Sequence, residues 1–341
     1  MLFSDISVFI QNLLSNFMEI FMKTLLVTGG AGFIGSNLAD TLLDQGYEVI
    51  AVDNFDDFYD PAIKRRNISL ALTRPAYTFI ESDICNTDFL LKVLPAGISA
   101  VIHLAAKAGV RNSILFPAGY EENNTRSLTK AIELAVKLNI TRFVFTSSSS
   151  IYGNSKLVPF QEDQSGLVPL NPYATSKLQS EEIGKKCSEE YDLNFISLRL
   201  FSVYGPRLRP DLMMTNIAKS IYSGKPLKIF GNGSVVRDFT HVSDITDGII
   251  KSMSYSNKNY DLFNLGYGSP VSLMDIIGIF ENITGEKIRL EFSNAIKGES
   301  DITWADNTKA KNLLNFNPKT SLYDGIKDFL KWYADFNNIH S

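Results

Sequence analysis

Short apolar runs alternate with longer amphipathic stretches along the first two thirds of the chain. The runs are continuous, as in buried parallel strands, and they occupy residues 25–27, 47–52, 77–80, 100–104, 142–146 and 195–200. Between them apolar residues recur at helical spacing, most clearly over 120–139 and 173–191. Strands alternating with helices predict an α/β fold with a doubly wound parallel sheet, whose ligands bind at the carboxyl ends of the strands.

The alternation loosens after Gly205, where proline, glycine and charge become denser. A chain of 341 residues exceeds one typical domain. We therefore predict an N-terminal extension over 1–22, a large sheet domain over 23–204 and a smaller mixed α/β domain over 205–341. The smaller domain is expected to be interleaved with the first and to close over a substrate.

Residues 1–22 are apolar and acidic, with no Lys or Arg before Lys23. They lack the basic n-region and cleavage site of a signal peptide, and polar residues interrupt them too often for a membrane span. Their apolar positions lie roughly on one helical face, which indicates an extension that packs on the body or on a partner. An upstream start codon, with Met22 the usual beginning, explains the stretch equally well.

Composition and charge narrow the possible partners. The chain is 45% hydrophobic and has a net charge of -4, and no basic tract is present to neutralise phosphates, which argues against nucleic acid. Cys85 and Cys187 are far apart and lack metal-type spacing. We expect no metal site, no disulfide and a reducing compartment, the cytoplasm.

The first apolar run ends in a glycine turn, KTLLVTGGAGFIG, at residues 23–35. Gly30, Gly32 and Gly35 match the spacing G-x-G-x-x-G, and Gly29, Gly32 and Gly35 match its looser variant. Either match predicts a strand, a tight turn and a helix whose N-terminal N–H groups bind a pyrophosphate.

An acidic residue, Asp53, ends the second run about 20 residues past the glycines. A carboxylate at this place hydrogen-bonds the ribose hydroxyls of a dinucleotide and disfavours a 2′-phosphate, so NAD is predicted over NADP. The alternative is that Asp53 merely starts a turn. Residues 82–84, Ser-Asp-Ile, follow the third run and are expected to form a wall of the adenine site.

Tyr173 and Lys177 lie one helical turn apart, so a helix places their side chains on one face. A nearby ammonium favours the phenolate, so we expect Lys177, aided by a positive nicotinamide, to lower the pKa of Tyr173 and make it a general base. Taken singly, such a pair is common on protein surfaces. Here it follows the hydroxyl cluster at 146–150, from which a serine could relay a proton.

Several motifs together resemble the extended short-chain dehydrogenases/reductases that act on nucleotide sugars: TGGAGFIG, HLAAKAG, SSSSIYG, the Tyr173/Lys177 pair and RDFTHVSDI. DNFDDFYD, AGVRNS and GPRLRPD make the chain most similar to UDP-glucuronate 4-epimerases and their UDP-glucose 4-epimerase relatives. The resemblance implies a Rossmann-type NAD domain over 23–204, a nucleotide-sugar domain over 205–341, and a homodimer formed through the helical stretches 120–139 and 173–191.

The resemblance also implies roles for individual residues. The catalytic residues are Ser148, Tyr173 and Lys177. Cofactor contacts come from Gly29, Gly32, Phe33, Ile34, Gly35, Asp53, Asn54, Asp83, Ile84, Leu104, Ala105, Ala106, Lys107 and Asn124, together with Tyr173 and Lys177. Substrate contacts come from Ser149, Ser150 and Ser202 at the sugar, Arg209 at a C6 carboxylate, and Arg237 and Asp301 at the diphosphate and uridine ribose. For Arg209 an ordinary surface ion pair remains the alternative.

The implied reaction is C4 epimerisation of a UDP-sugar through a 4-keto intermediate, with UDP-glucuronate the expected substrate. Ser149 and Ser150 stand where related dehydratases and decarboxylases carry carboxylates. Ser202 replaces the Thr of the uronate enzymes, and Lys107 replaces their Gln. UDP-glucose or UDP-N-acetylglucosamine epimerisation, 4,6-dehydration, and a non-catalytic NAD-binding scaffold remain as alternatives.

Overall fold

A parallel sheet of seven strands forms the centre of the computed structural model, which describes residues 23–294 and 298–339. The strands are β1 (Thr24–Thr28), β2 (Glu48–Asp53), β3 (Tyr77–Glu81), β4 (Ala100–His103), β5 (Arg142–Ser148), β6 (Asn194–Leu200), β7 (Val203–Tyr204), β8 (Leu227–Phe230), β9 (Val236–Asp238), β10 (Thr240–His241), β11 (Tyr260–Leu265), β12 (Pro270–Ser272) and β13 (Leu290–Ser293). The expectations for residues 1–22 lie outside the described part of the chain.

Helices cover both faces of this sheet and build the smaller domain. They are α1 (Phe33–Asp44), α2 (Pro61–Asn67), α3 (Thr87–Val93), α4 (Val110–Leu115), α5 (Ala118–Lys137), α6 (Pro172–Tyr191), α7 (Met213–Ser223), α8 (Val242–Ser252), α9 (Leu273–Thr284), α10 (Thr308–Leu314) and α11 (Leu322–Phe336). Over the described ranges, no helix is both long enough and apolar enough to cross a bilayer.

The strands follow the order β11-β6-β5-β4-β1-β2-β3, and every pair within the sheet is parallel. The chain winds outward from β1 through β2 and β3, and it then returns to place β4 on the other side of β1. A crevice opens where the winding direction reverses, outside the carboxyl ends of β1 and β4. The prediction of a doubly wound, Rossmann-type α/β fold is confirmed.

Apolar side chains alternate between the two faces of the sheet. Leu25 and Val27 of β1 lie in a buried cluster with residues of α1 and α8, and Leu26 lies in a second cluster with residues of α5. Because helices cover both faces, neither face of a central strand needs polar residues. This is why the predicted strands read as continuous apolar runs.

The part of the chain after Gly205 contributes to both domains. β11 returns to the large sheet, where Tyr260 pairs with Phe195 and Leu265 pairs with Leu200, and α8 packs against α1. The remaining strands form the two-stranded pairs β7-β10, β8-β13 and β9-β12. A separate core, centred on Phe280 and Phe329, holds this smaller unit together.

Candidate active site

A continuous cleft of about 1060 Å³ runs between the carboxyl edge of the sheet and the smaller domain. Its first wall is the glycine turn at the end of β1. Gly29 has a φ of +69°, which residues with a Cβ rarely adopt, and a Cβ there would lie 2.8 Å from the backbone nitrogen of Ala105. A Cβ on Gly35 would collide with the carbonyl oxygen of Gly29. Helix α1 can therefore approach the turn only because these positions are glycine.

The N-terminus of α1 faces this cleft. No side chain caps it, and no acidic residue lies in its first turn. Gly32, Phe33, Ile34 and Gly35 all line the cleft. Unpaired N–H groups at a helix N-terminus bind anions, and the glycine backbone lets a ligand approach closely. The turn therefore fits the pyrophosphate of a dinucleotide such as NAD.

Asp53, the last residue of β2, is buried and already hydrogen-bonded. Its carboxylate accepts the N–H of Ala31 at 3.2 Å and that of Phe55 at 2.9 Å, and the Lys64 Nζ lies 3.7 Å away. The bond from Phe55 fits the alternative that Asp53 starts a turn, and the bond from Ala31 also ties the glycine turn to β2. Asp53 also lines the cleft, where its contact with a ribose stays a prediction.

The expected adenine wall forms beside Asp53. Asn54 donates from Nδ2 to Asp83 Oδ2 at 3.1 Å, and Asp83 Oδ1 accepts the N–H of Cys85 at 2.7 Å. Ile84, the next residue after Asp83, is buried and lines the cleft. The three predicted residues are therefore brought together at the end of β3.

The loop after β4 supplies the next part of the wall, and Asn124 on α5 positions it. The backbone of Lys107 donates to Asn124 Oδ1 at 2.8 Å and accepts from Nδ2 at 3.0 Å. Nδ2 also donates to the Ser176 hydroxyl at 2.9 Å. With its amide occupied in this way, Asn124 acts by holding the loop. Leu104, Ala105, Ala106 and Lys107 line the cleft.

The serine cluster ends β5 and turns into the cleft. Ser150 donates its hydroxyl to Ser148 Oγ at 2.9 Å, and its backbone N–H lies 3.2 Å from the same oxygen. Ser148, Ser149 and Ser150 line the cleft together with Tyr173. The Ser148 hydroxyl also lowers the pKa of the Tyr173 phenol.

Tyr173 and Lys177 lie on the first two turns of α6, with the Lys177 Nζ 6.0 Å from the centre of the tyrosine ring. Burial raises the pKa of Tyr173, and Ser148 and Arg209 only partly oppose it. Burial also lowers the pKa of Lys177 to about 7, and its Nζ donates to the Thr146 carbonyl at 2.7 Å. Burial thus sets the direction of the Tyr173 pKa in the chain by itself, and Lys177 is not among the groups that lower it. The expectation that Lys177, together with a bound nicotinamide, lowers this pKa stays a prediction.

Arg209 also lines the cleft. Its Nε and Nη2 donate to the Asp211 carboxylate at 3.0 and 2.8 Å, and its guanidinium lies 5.3 Å from the centre of the Phe58 ring. The expected ion pair therefore exists, but it lies in the cleft and not on the outer surface. Ser202, just after β6, lines the same region.

The structure places Arg237 in the cleft but directs Asp301 away from it. The Asp301 side chain is 72% exposed and lies 3.4 Å from Lys156, while its backbone bonds to Asn154 and Val236. Glu299, two residues earlier, does line the cleft, and its carboxylate lies 3.9 Å from Arg237 Nη2. The predicted contact of Asp301 with the nucleotide stays a prediction, and sequence reasoning did not single out Glu299.

A protein-family model, the NAD dependent epimerase/dehydratase family, matches residues 25–266. The chain belongs to this family. Its members share NAD dependence, which agrees with the prediction of NAD from the glycine turn and Asp53. Over residues 23–294 and 298–339, no group of three or more His, Cys, Asp or Glu residues is arranged to hold a metal ion.

Known members of the epimerase/dehydratase family resemble the whole chain. The UDP-glucuronate 4-epimerase of Thermodesulfobacterium geofontis is 40% identical over 313 residues, which cover 91% of this chain and 96% of the relative. The crystal structure of UDP-glucuronic acid 4-epimerase from Bacillus cereus with UDP-glucuronic acid and NAD superposes with a TM-score of 0.84 at 33% identity, covering 92% of this chain and 99% of that one. The crystal structure of UDP-glucose 4-epimerase from Thermotoga maritima with UDP-glucose superposes with a TM-score of 0.83 at 29% identity. The match covers 92% of this chain and 99% of that one.

Proposed function

We propose that the protein interconverts the C4 epimers of a UDP-sugar, and that it converts UDP-glucuronate to UDP-galacturonate. One observation carries the proposal: Tyr173 and Ser148 share a cleft with the glycine turn on one side and Arg209 on the other. Relatives of matching length that are named UDP-glucuronate 4-epimerases support this choice of reaction and sugar.

Tyr173 performs the proton chemistry at the C4 oxygen. It removes the hydroxyl proton, directly or through Ser148, and it later returns a proton to the oxygen of the 4-keto sugar. Ser148 and Arg209 favour the ionised phenol against the effect of burial on its pKa. Lys177 adds to this when protonated, because its ammonium lies 6.0 Å from the centre of the Tyr173 ring, held there by its bond to the Thr146 carbonyl of β5.

The glycine turn, Asp53 and the loop after β4 would hold NAD along the carboxyl edge of the sheet. Bound NAD would supply the hydride chemistry at C4, an oxidation followed by a reduction of the same carbon, so that the reaction has no net oxidation. The chain's own residues bind and orient the cofactor and the sugar, and Tyr173 moves the proton at the C4 oxygen.

Arg209 restrains the substrate carboxylate. A 4-keto uronate is a β-keto acid, which loses carbon dioxide unless its carboxylate is held away from the geometry of that step. Asp211 occupies the Nε and Nη2 edge of Arg209, while Nη1 has no hydrogen-bond partner among the described residues and is left for the substrate. Ser149 and Ser150 offer hydroxyls but no acid or base for dehydration.

Arg237 and Glu299 anchor the nucleotide, Arg237 at the diphosphate and Glu299 at the uridine ribose. Arg237 lies on β9 and Glu299 follows β13, so the sugar can turn over between the two hydride steps while the nucleotide stays bound. Binding energy remote from C4 thus keeps the keto intermediate captive.

We further propose a cytoplasmic homodimer. Helices α5 and α6 pack along each other on the outer layer of the large domain, where a two-fold axis would form a four-helix contact. Both cysteines, Cys85 and Cys187, are free thiols, as a reducing compartment requires. Light scattering should give twice the monomer mass of 38.0 kDa, and a monomeric peak would overturn the dimer.

The experiment that tests the function uses purified protein without added NAD. UDP-glucuronate, UDP-glucose and UDP-N-acetylglucosamine are incubated separately, and the configuration at C4 is followed by NMR. We expect conversion of UDP-glucuronate, and we expect Tyr173→Phe to abolish it while UDP still binds. Conversion of neutral sugars only would overturn the role of Arg209, and net formation of NADH would indicate a dehydrogenase.

A further inference from the structure

The side chain of Asn171 joins the helix that carries Tyr173 to a segment from the other side of the cleft. Asn171 is the N-cap of α6, and its Oδ1 accepts the N–H of Ala174 at 2.9 Å. The same amide donates from Nδ2 to the carbonyl of Gly298 at 3.0 Å. Asn171 is 7% exposed, so both bonds are shielded from water. A cap alone would need only the first of them.

A second bond ties the same segment, residues 298–301, to the serine cluster. The Ser300 hydroxyl donates to the carbonyl of Gly153 at 2.6 Å. Gly153 ends the short 3-10 turn Ser149–Tyr152, which begins directly after Ser148. The segment therefore contacts both elements that carry the proposed proton chemistry.

Glu299 lies between these two anchors. Its carboxylate is 3.9 Å from Arg237 and 4.0 Å from Arg111, so it stands among the charges of the nucleotide end of the cleft. Gly298, with a φ of +86°, packs so closely on Ile114 that a Cβ would lie 2.8 Å from its Cδ1. The two anchored residues, Gly298 and Ser300, are thus the direct neighbours of Glu299 in the chain. The backbone of Glu299 therefore has little room to move independently of them.

We propose that Asn171 is a positioning residue that couples the nucleotide end of the cleft to Tyr173, an inference that rests on the proposed function. Contacts of the nucleotide with Glu299 and Arg237 fix residues 298–301, and the Asn171–Gly298 bond transfers that order to the first turn of α6. The Ser300–Gly153 bond transfers the same order to the turn that follows Ser148. Binding of the nucleotide, far from C4, then helps to align Tyr173 and Ser148 with the C4 oxygen of the sugar.

The test compares wild type with Asn171→Ser. Serine is a good N-cap and adds no charge, but it is too short to reach the Gly298 carbonyl. We expect kcat for UDP-glucuronate to fall about 10- to 100-fold, because small misplacements of catalytic groups have effects of this size. The dissociation constant of UDP, measured by calorimetry, should stay within about threefold, since Arg237 and Glu299 are unchanged.

Ser321→Ala is the matched control. Ser321 caps α11 by accepting the N–H of Asp324, and it does not line the cleft. Its loss should lower the melting temperature while kcat stays at the wild-type value. Loss of a helix cap by itself would change only the melting temperature. A lower kcat at unchanged UDP affinity therefore indicates that Asn171 positions the catalytic groups.

Ser300→Ala tests the second anchor and decides the matter should Asn171→Ser fail to fold. It should lower kcat at unchanged UDP affinity. A kcat within threefold of wild type in a folded Asn171→Ser, or equal losses in kcat and UDP affinity, would overturn the coupling. Wild-type protein that leaves C4 of every UDP-sugar unchanged would refute the proposed function instead.

Discussion

The guanidinium of Arg199 on β6 holds the carboxylate of Glu181 on α6 through hydrogen bonds of 3.0 and 2.8 Å, and both side chains are 4% exposed. Arg199 also donates to the Tyr152 hydroxyl at 2.8 Å. The pair fastens the helix that carries Tyr173 to the strand that leads to Ser202.

Removing one member of this pair should strongly destabilise the fold. Glu181→Ala leaves the Arg199 charge buried without its partner, so we expect the free energy of unfolding to fall by about 3–5 kcal/mol. Urea denaturation measures the change. Glu133→Ala is the control, because Glu133 pairs with Lys130 and Lys137 on the surface of α5 and its loss should change stability little. Equal effects of the two substitutions would contradict the prediction.

Gly35→Ala should remove bound cofactor. The added methyl group would displace the Gly29 carbonyl and so open the turn at the N-terminus of α1. The NAD released on denaturing the purified protein should fall to a small fraction of the wild-type amount. Gly278→Ala on α9 is the control, since nothing lies within 4 Å of its added Cβ and it should retain NAD. Wild-type NAD content in Gly35→Ala would disprove the assigned anion site.

Glu299 and Asp301 should differ in their effect on nucleotide binding. Glu299→Gln removes a carboxylate from the cleft, and we expect the dissociation constant of UDP to rise about tenfold, which is about 1.4 kcal/mol. Asp301→Asn changes an exposed side chain and should leave UDP affinity within about twofold. Calorimetric titration with UDP distinguishes the two, and the reverse order of effects would restore Asp301 as the ligand.

Arg209→Gln should change both sugar preference and pH dependence. The ratio kcat/KM for UDP-glucuronate should fall about 10- to 100-fold, as for loss of a hydrogen bond between charged groups, and UDP-glucose should be affected less. Arg209 opposes the effect of burial on the pKa of Tyr173, so its removal raises that pKa. The acid limb of the pH profile should therefore move to higher pH.

Arg207→Gln serves as the control for this substitution. Arg207 lies two residues earlier, pairs with Asp40 and does not line the cleft. Its replacement should leave the pH profile and the preference between sugars unchanged. A profile that moves to lower pH in Arg209→Gln, or does not move, would show that Arg209 does not act on Tyr173.

The six predicted strands of the large sheet agree with the structure because their apolar runs are local and continuous. The seventh, β11, was missed. Its sequence, YDLFNL, contains two buried polar residues that are explained only by tertiary contacts. Asp261 forms an ion pair with the Lys309 ammonium, and Asn264 accepts a hydrogen bond from the Tyr152 hydroxyl at 2.8 Å. A local pattern cannot indicate partners that lie far away in the chain.

In the candidate site, too, local sequence patterns were predicted better than contacts between distant residues. Motifs whose residues are close in sequence, such as the glycine turn and the Tyr173/Lys177 pair, were found together in the cleft. Glu299 lines the cleft and the Asp301 side chain is exposed, in a segment fixed by backbone bonds from Asp301 to Asn154 and Val236, which sequence does not reveal. The raised pKa of Tyr173 depended on burial, which spacing alone does not report.

The return of β11 to the large sheet has a practical consequence for protein engineering. A fragment that stopped after Tyr204 would keep the glycine turn and the helix that carries Tyr173. It would lose β11, however, so β6 would become an exposed edge strand in which six residues lack their pairing partners. Such an edge invites pairing with other chains and aggregation. The first domain cannot be excised as a self-sufficient NAD-binding module, and chimeras of this enzyme should exchange loops and not halves.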